Sequence, residues 1–278
     1  MVTEREAQAT RLRAQAGIAP PAFWEERAGT FRRAVQRRAG QDDPIFELMA
    51  AHVNEEMTLL DVGAGVGRHA LPLSWRVKQV TAVEPSKAMR DFMAADAAEQ
   101  HVGNLTMVGD DWQTAEVSPA DVVLCSHVMY NVPEVGGFVD KLAAHAQQHC
   151  FIAMRTGQRD QMLRSLFQEV HGEELIPEPA VIDLYNVVHQ RLGVAANVQA
   201  MSFRRGTMPL GNYETLDEAI AAVRGQLYVA EGSAGEAAIR AFLQQHLMAE
   251  DGRLVLGSPP IGAAILWWDT AADSVNRL

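Results

Sequence analysis

Apolar and polar residues follow two different rhythms along this chain. Arg5 to Ala16 and Pro21 to Ala39 are spaced as helices, separated at Pro20-Pro21, and Pro21 suits a first helical position. Ile45, Phe46, Leu48 and Met49 predict a third helix over Pro44 to His52. From Met57 the texture changes. Short apolar runs at Met57 to Val62, Gln79 to Val83, Leu105 to Val108, Ala120 to Ser126 and Cys150 to Arg155 predict strands. Helical spacing fills the gaps at His69 to Arg76, Lys87 to Gln100, behind Ser86 as a cap, and Gly136 to Gln148. The run ADVVLCS lacks a polar face, as a strand buried on both sides requires. Five strands alternating with helices predict parallel pairing with right-handed crossovers, a doubly wound α/β sheet.

Beyond Gly157 that rhythm stops. Gln158 to Val170 and Ala180 to Leu192 carry helical spacing, the second ending at Gly193 in a C-cap position. A strand over Asn197 to Arg205, helices over Leu216 to Val229 and Ala234 to Met248, and strands over Arg253 to Leu256 and Ala263 to Asp269 follow. Trp267 and Trp268 are neighbours on the last strand, so their side chains point to opposite faces. The expected organisation is an N-terminal helical cap (1–52), a ligand-binding core (53–157), a helical insertion (158–196) and a C-terminal segment completing the sheet (197–278).

Composition narrows the function. A chain of 278 residues with 48% hydrophobic and 21% charged residues can bury a full core, which excludes a disordered chain. Its longest apolar runs are strand-sized, and MVTEREAQATRLRAQAG lacks the apolar block of a signal peptide, so a soluble, cytoplasmic protein with no membrane partner is expected. The net charge of −11 opposes a nucleic-acid partner. The first fifty residues hold eight arginines against seven acids, so the acidity lies in the remainder. Arg27, Arg32, Arg33, Arg37 and Arg38 form one acid-free basic stretch that either solvates a helix or meets an anionic ligand. Cys125 and Cys150 lie in apolar runs without metal-binding spacing, so no metal is expected.

The chemistry concentrates after the first strand of the alternating region. LLDVGAGVG places Gly63, Gly65 and Gly67 where a strand gives way to a helix, where absent Cβ atoms let backbone approach a ligand. Glu84 closes the next strand 21 residues after Gly63, the offset at which a carboxylate accepts hydrogen bonds from ribose hydroxyls. Arg68 stands where the dinucleotide fingerprint requires its third glycine, which disfavours a pyrophosphate and a nicotinamide-dependent oxidoreductase.

Asp61 before GAGVG, with Glu84-Pro85-Ser86 following the second strand, resembles the Rossmann-like (class I) S-adenosylmethionine-dependent methyltransferases over roughly Met57 to Arg155. The resemblance implies a seven-stranded, mostly parallel sheet with an antiparallel last strand and helices on both faces. It implies S-adenosylmethionine as cofactor, with Gly63, Ala64, Gly65 and Gly67 along its methionyl and ribose portions, Asp61 orienting its amino group and Glu84, beside Pro85, taking the ribose diol. Asp110 matches best the acid that faces adenine; Asp111 can exchange roles with it, Trp112 lies beside the ring or in the core, and either acid can be a turn residue. Ser126 to Val132 lines the methionine side. His127 is the first candidate for a general base, because imidazole titrates near neutral pH, and Tyr130 is a candidate to orient the acceptor. His69, at the start of the glycine-loop helix, reaches the cofactor carboxylate or nothing. Phe23, Trp24 and Tyr185 are candidates to cover a small-molecule substrate, or are core residues of packing helices. A non-catalytic binder of the same cofactor is the rival reading.

Overall fold

The computed structural model describes residues 2–18, 23–36, 42–157, 163–202, 212–250, 252–256 and 262–270. They divide into two compact units. The larger is built on seven strands: β1 (Thr58–Val62), β2 (Gln79–Val83), β3 (Leu105–Val108), β4 (Ala120–Ser126), β5 (Ala146–Arg155), β6 (Asn197–Ser202) and β10 (Gly262–Asp269). Their order is β3-β2-β1-β4-β5-β10-β6. The pairs β1 with β2, β2 with β3, β1 with β4 and β4 with β5 are parallel, and β10 runs antiparallel to β5 with Trp268 opposite Cys150. This is the expected fold class.

The helices of this unit are α2 (Phe23–Gln36), α3 (Pro44–Ala50), α4 (Ala70–Ser74), α5 (Lys87–Glu99), α6 (Val135–His145) and α8 (Val181–Leu192). The sequence starts and stops them at recognisable points. Asp43 caps α3 through the Ile45 amide, Ser86 caps α5 through the Met89 amide, and Gly193 ends α8 in the left-handed conformation at φ 68°. The main core gathers Leu60, Val123, Cys150 and Ile152 from the sheet with Val139, Leu142, Leu184 and Val188 from α6 and α8. Trp268 is buried in it, whereas Trp267, on the other face, stacks on Phe151 with ring centroids 6.4 Å apart, as strand alternation requires.

The smaller unit collects α1 (Val2–Ala16), α7 (Arg164–His171), α9 (Leu216–Gln226) and α10 (Ala234–His246) with a three-stranded sheet of β7 (Asn212–Tyr213), β8 (Leu247–Glu250) and β9 (Arg253–Leu256) in the order β7-β9-β8. Leu12, Phe167, Ile220, Ile239 and Leu243 form its core, and Gln8 Nε2 donates to the Glu174 carbonyl at 2.8 Å. The segments drawn along the sequence do not coincide with these units. Residues 197–278 do not all complete the large sheet: β6 and β10 do, while β7, β8 and β9 form a sheet of their own. Likewise α1 and α2, expected together as a cap, fall in different units, as do α7 and α8. Contacts between segments far apart in sequence make this division, and helical spacing carries no record of them.

Candidate functional site

In the larger unit β1 lies between β2 and β4, where the strand order reverses, and in such sheets ligands bind in the crevice at the carboxyl ends of those strands. Val62, the last residue of β1, leads directly into the glycine loop. Gly63 has φ 74°, and a Cβ built on it would lie 2.3 Å from Val128 Cγ2, so the loop after β4 occupies the space a side chain would need. Gly67, at φ 83°, is constrained by helix packing, its Cβ falling 2.8 Å from Leu71 Cγ and 2.9 Å from Met93 Cγ. A Cβ built on Gly65 would meet Phe31 Cε1 at 3.6 Å, an ordinary van der Waals contact, so α2 packs over the middle of the loop. Ala64 is buried, with its amide 3.2 Å from the Val83 carbonyl.

Two buried carboxyls support this loop. Asp61 is 2% exposed on β1; burial, and then the nearby Glu84, push its pKa up to about 7, against a hydrogen bond from the Ala70 amide. Glu84, also buried, accepts the Gly65 amide at 2.8 Å on Oε2 and the Ser86 amide at 2.9 Å on Oε1. It thus joins the glycine loop to the start of α5, with exposed Pro85 between. Arg90 completes the corner by donating to the carbonyls of Glu84 at 2.6 Å and Pro85 at 2.8 Å, and a Cβ on Gly109 would meet its Cζ at 2.9 Å. The sequence reading missed Arg90. Its signal was a cation in the first turn of a helix, where the macrodipole favours acids.

After β3, Asp110 and Asp111 are both exposed. Asp111 organises a turn: its Oδ1 accepts the Gln113 amide at 2.9 Å and its carbonyl accepts the Ala115 amide at 2.8 Å. Trp112 is a core residue, 3% exposed, edge-on to His145 at 5.1 Å with Lys141 Nζ 4.6 Å from its ring centroid. Its indole N–H is buried with no hydrogen-bond partner among the described residues, and the same holds for Ser126 Oγ at the end of β4. Ser126 follows Cys125, which pairs with Val62, so it stands level with Gly63.

The loop beyond Ser126 is held tightly. His127 adopts φ 60°, and its amide donates to the Ala153 carbonyl at 2.9 Å. Its Nδ1 lies 2.7 Å from the Tyr130 hydroxyl, which also accepts the Arg155 amide at 2.9 Å. The Arg155 guanidinium lies 3.6 Å above the Tyr130 ring. Burial, then Arg68, Arg155 and His69, push the His127 pKa down to about 3, and Asp43 only partly opposes them. The sequence expectation that His127 titrates near neutral pH is therefore corrected: its surroundings keep the imidazole neutral and weakly basic. Arg68 donates to Asp43 Oδ2 at 2.7 Å, anchoring the glycine loop to the start of α3. Although burial opposes ionisation there, His69 and Arg68 hold the Asp43 carboxyl well below the usual range.

The candidates for covering a substrate lie on α2 and α8. Phe23 and Trp24 open α2, but their side chains lie outside the described residues. Tyr185 is half-buried on α8 and packs against the main core. In the basic stretch, Arg32 pairs with Asp96 and covers the Phe92 ring at 5.0 Å, bracing α2 against α5; the side chains of Arg27, Arg37 and Arg38 lie outside the described residues. Those residues include no group of three metal-ligating side chains that could hold a metal, and no helix long and apolar enough to cross a membrane.

Comparison with known proteins agrees with this geometry. An uncharacterized protein of Haemophilus influenzae is 27% identical over 259 residues, covering 90% of each chain. The YcgJ protein of Bacillus subtilis superposes with a TM-score of 0.54 at 15% identity, over 81% of this chain and 97% of its own. A candidate methyltransferase of Bacillus halodurans C-125 gives a TM-score of 0.52 at 14% identity, over 82% and 97%. These two similarities concern the fold. The family model described as a methyltransferase domain matches residues 23–190, more than half of the chain and all of the crevice described above. With that match, the glycine loop after β1, the acid closing β2 and the antiparallel β10, the chain belongs to the methyltransferase domain family, as a class I S-adenosylmethionine-dependent enzyme.

Proposed function

We propose that this chain transfers the methyl group of S-adenosylmethionine to a small organic molecule in the crevice between β1 and β4. The observation that carries the reading is the joining of the glycine loop to Glu84 through the Gly65 amide. The Glu84 carboxylate, which accepts the Gly65 amide, stands beside the loop where a ribose diol would be received. The buried Ser126 hydroxyl, level with Gly63 and without a hydrogen-bond partner among the described residues, supports the fit, since a buried polar atom favours a ligand that completes its hydrogen bonding.

In this reading Gly63, Ala64, Gly65 and Gly67 form the bed for the methionyl and ribose portions, and Asp61 orients the amino group. Glu84 takes the ribose, with Pro85 against the adenine. Asp111 orders the turn that presents Asp110 to the adenine amine, and Trp112 braces that turn from the core. The cofactor supplies an electrophilic methyl group on a cationic sulfonium. The chain's own contribution is placement: holding the acceptor in line at van der Waals contact and keeping water out. His127, neutral and weakly basic, directs a ring nitrogen toward the acceptor rather than storing its proton, and Tyr130 fixes that ring through their shared hydrogen bond. Phe23, Trp24 and Tyr185 are proposed to close the acceptor side. The net charge of −11 supports a small acceptor over nucleic acid.

Calorimetric titration with S-adenosylmethionine and S-adenosylhomocysteine tests the assignment. Both should bind, and Glu84→Gln should weaken both at least tenfold, about 1.4 kcal/mol, because an amide presents only one acceptor oxygen. Unchanged affinity in Glu84→Gln would defeat the assignment of the ribose to this residue.

A further inference from the structure

Glycines at 63, 65 and 67 give the loop after β1 unusual backbone freedom, so whatever grips its two ends sets its shape. The near end is held by Val128, packed over Gly63, and by Glu84, which accepts the Gly65 amide. The far end, Arg68 and His69, is held by Asp43, a residue from outside the alternating region. The two oxygens of that carboxylate have different partners. Oδ1 accepts the Ile45 amide at 3.1 Å and the Phe46 amide at 3.4 Å, capping α3. Oδ2 accepts hydrogen bonds from Arg68 Nε at 3.1 Å and Nη2 at 2.7 Å, and His69 Nε2 stands 3.6 Å from it.

We infer that Asp43 is a positioning residue for the methionyl end of the cofactor, acting through Arg68 and His69 rather than by touching the cofactor. This deepens the methyltransferase reading and rests on it. Three observations carry it. At Gly67, φ is 83° and a Cβ would meet Leu71 and Met93, so the backbone that carries Arg68 and His69 is packed closely against α4 and α5. Arg68, His69 and Asp43 all act on the buried His127 imidazole, Arg68 the most after burial itself, which puts the clamp beside the loop that lines the methionine side. Finally, the bond from the Gly65 amide to Glu84 secures the ribose half of the loop without help from Asp43, so release of the clamp loosens the methionyl half selectively. Ordering a loop at the moment of binding weakens binding, and a clamp that orders it beforehand removes that cost.

The test uses the full chain, titrated calorimetrically with S-adenosylhomocysteine and with 5′-methylthioadenosine, which has the same adenosine and thioether but no amino acid. Asp43→Ser keeps an oxygen to cap α3, since serine is as good an N-cap as aspartate, and removes the second oxygen that holds Arg68. It should weaken S-adenosylhomocysteine by about tenfold or more and leave methylthioadenosine within about twofold. Arg68→Gln should show the same split, and the double variant should lose no more than the larger single loss, because the two residues act through one contact. Any other pattern overturns the inference, an equal loss of both ligands being what general damage to the fold gives. Where Asp43→Ser does not fold, or methylthioadenosine binds too weakly to titrate, the unmodified chain decides. Coupling between two equilibria is reciprocal, so a clamp that strengthens cofactor binding is strengthened by it. Hydrogen exchange at Arg68 Nε, followed by 15N NMR, should therefore slow by about tenfold or more on saturation with S-adenosylhomocysteine; a smaller change overturns the inference. Failure of S-adenosylhomocysteine to bind the unmodified chain would remove the methyltransferase reading and this inference together, whereas binding that is indifferent to Asp43→Ser removes this inference alone.

Discussion

Gly63→Ala should be costly for two separable reasons. At φ 74° a residue with a Cβ sits in the left-handed region, which costs roughly 1–2 kcal/mol. The new Cβ would also stand 2.3 Å from Val128 Cγ2 and 3.3 Å from Cγ1, well inside contact distance, and relieving such overpacking costs typically about 1–3 kcal/mol. The expected total is about 2–5 kcal/mol. The steric part alone should depend on Val128: in Val128→Ala only Cβ remains, 3.4 Å from the built atom, an ordinary contact. The double variant Gly63→Ala, Val128→Ala should therefore lose less stability than the sum of the two single variants, by about 1–3 kcal/mol, the conformational cost persisting. Urea unfolding followed by circular dichroism, with all four proteins at one pH, measures that coupling. Additive losses, or a Gly63→Ala loss below about 0.5 kcal/mol, would refute the claim that the loop after β4 fills the space over Gly63, and with it the close approach of β1 and β4 at the crevice.

The other predictions concern buried polar groups. Asp61 has its folded pKa raised from 3.8 to about 7, so ionising it opposes folding: stability should be fullest below pH 4, fall as pH rises toward 7 and level off above, and Asp61→Asn should remove that slope and be the more stable protein at pH 8; a wild-type minus variant difference flat between pH 4 and 8 would contradict this. Tyr130→Phe removes the acceptor of the buried Arg155 amide and should cost about 1–3 kcal/mol in urea unfolding, and the His127 ring resonance should shift; retention of both values would show the shared hydrogen bond to be immaterial. Cys125 and Cys150 are fully buried, which pushes both thiols up, so iodoacetamide at pH 8 should label neither in the native chain and both in urea, with intact-mass spectrometry as the readout.

Much of this was legible in the residue pattern because the information was local. Strands buried on both faces are largely apolar, so β1, β4 and the core of β5 stand out as short apolar runs, and Ser86 and Gly193 mark helix ends with their own side chain or lack of one. Glycines at 63, 65 and 67 with an acid 21 residues beyond Gly63 located the crevice, since a tight strand-to-helix turn and the next strand end are fixed distances along the chain. Where local spacing was ambiguous the reading slipped. Helical texture was extended through Met248, whereas Leu247–Glu250 is a strand, because pairing with Arg253–Leu256 outweighs a short segment's helical preference.

The alternation of strand and helix, the glycine turn and the acid that answers it are readable along the chain, because they depend on backbone geometry and burial over short spans. Tertiary structure alone decided that Asp111 orders a turn beside Asp110, that Trp112 belongs to the core, and that Arg68 and Asp43 clamp the loop. It alone brought Arg155 onto Tyr130 and left His127 a weak base. A pKa, an ion pair or a stacked ring depends on which groups from distant segments share one small volume, and only the packing of β4 against β5 brings those groups together.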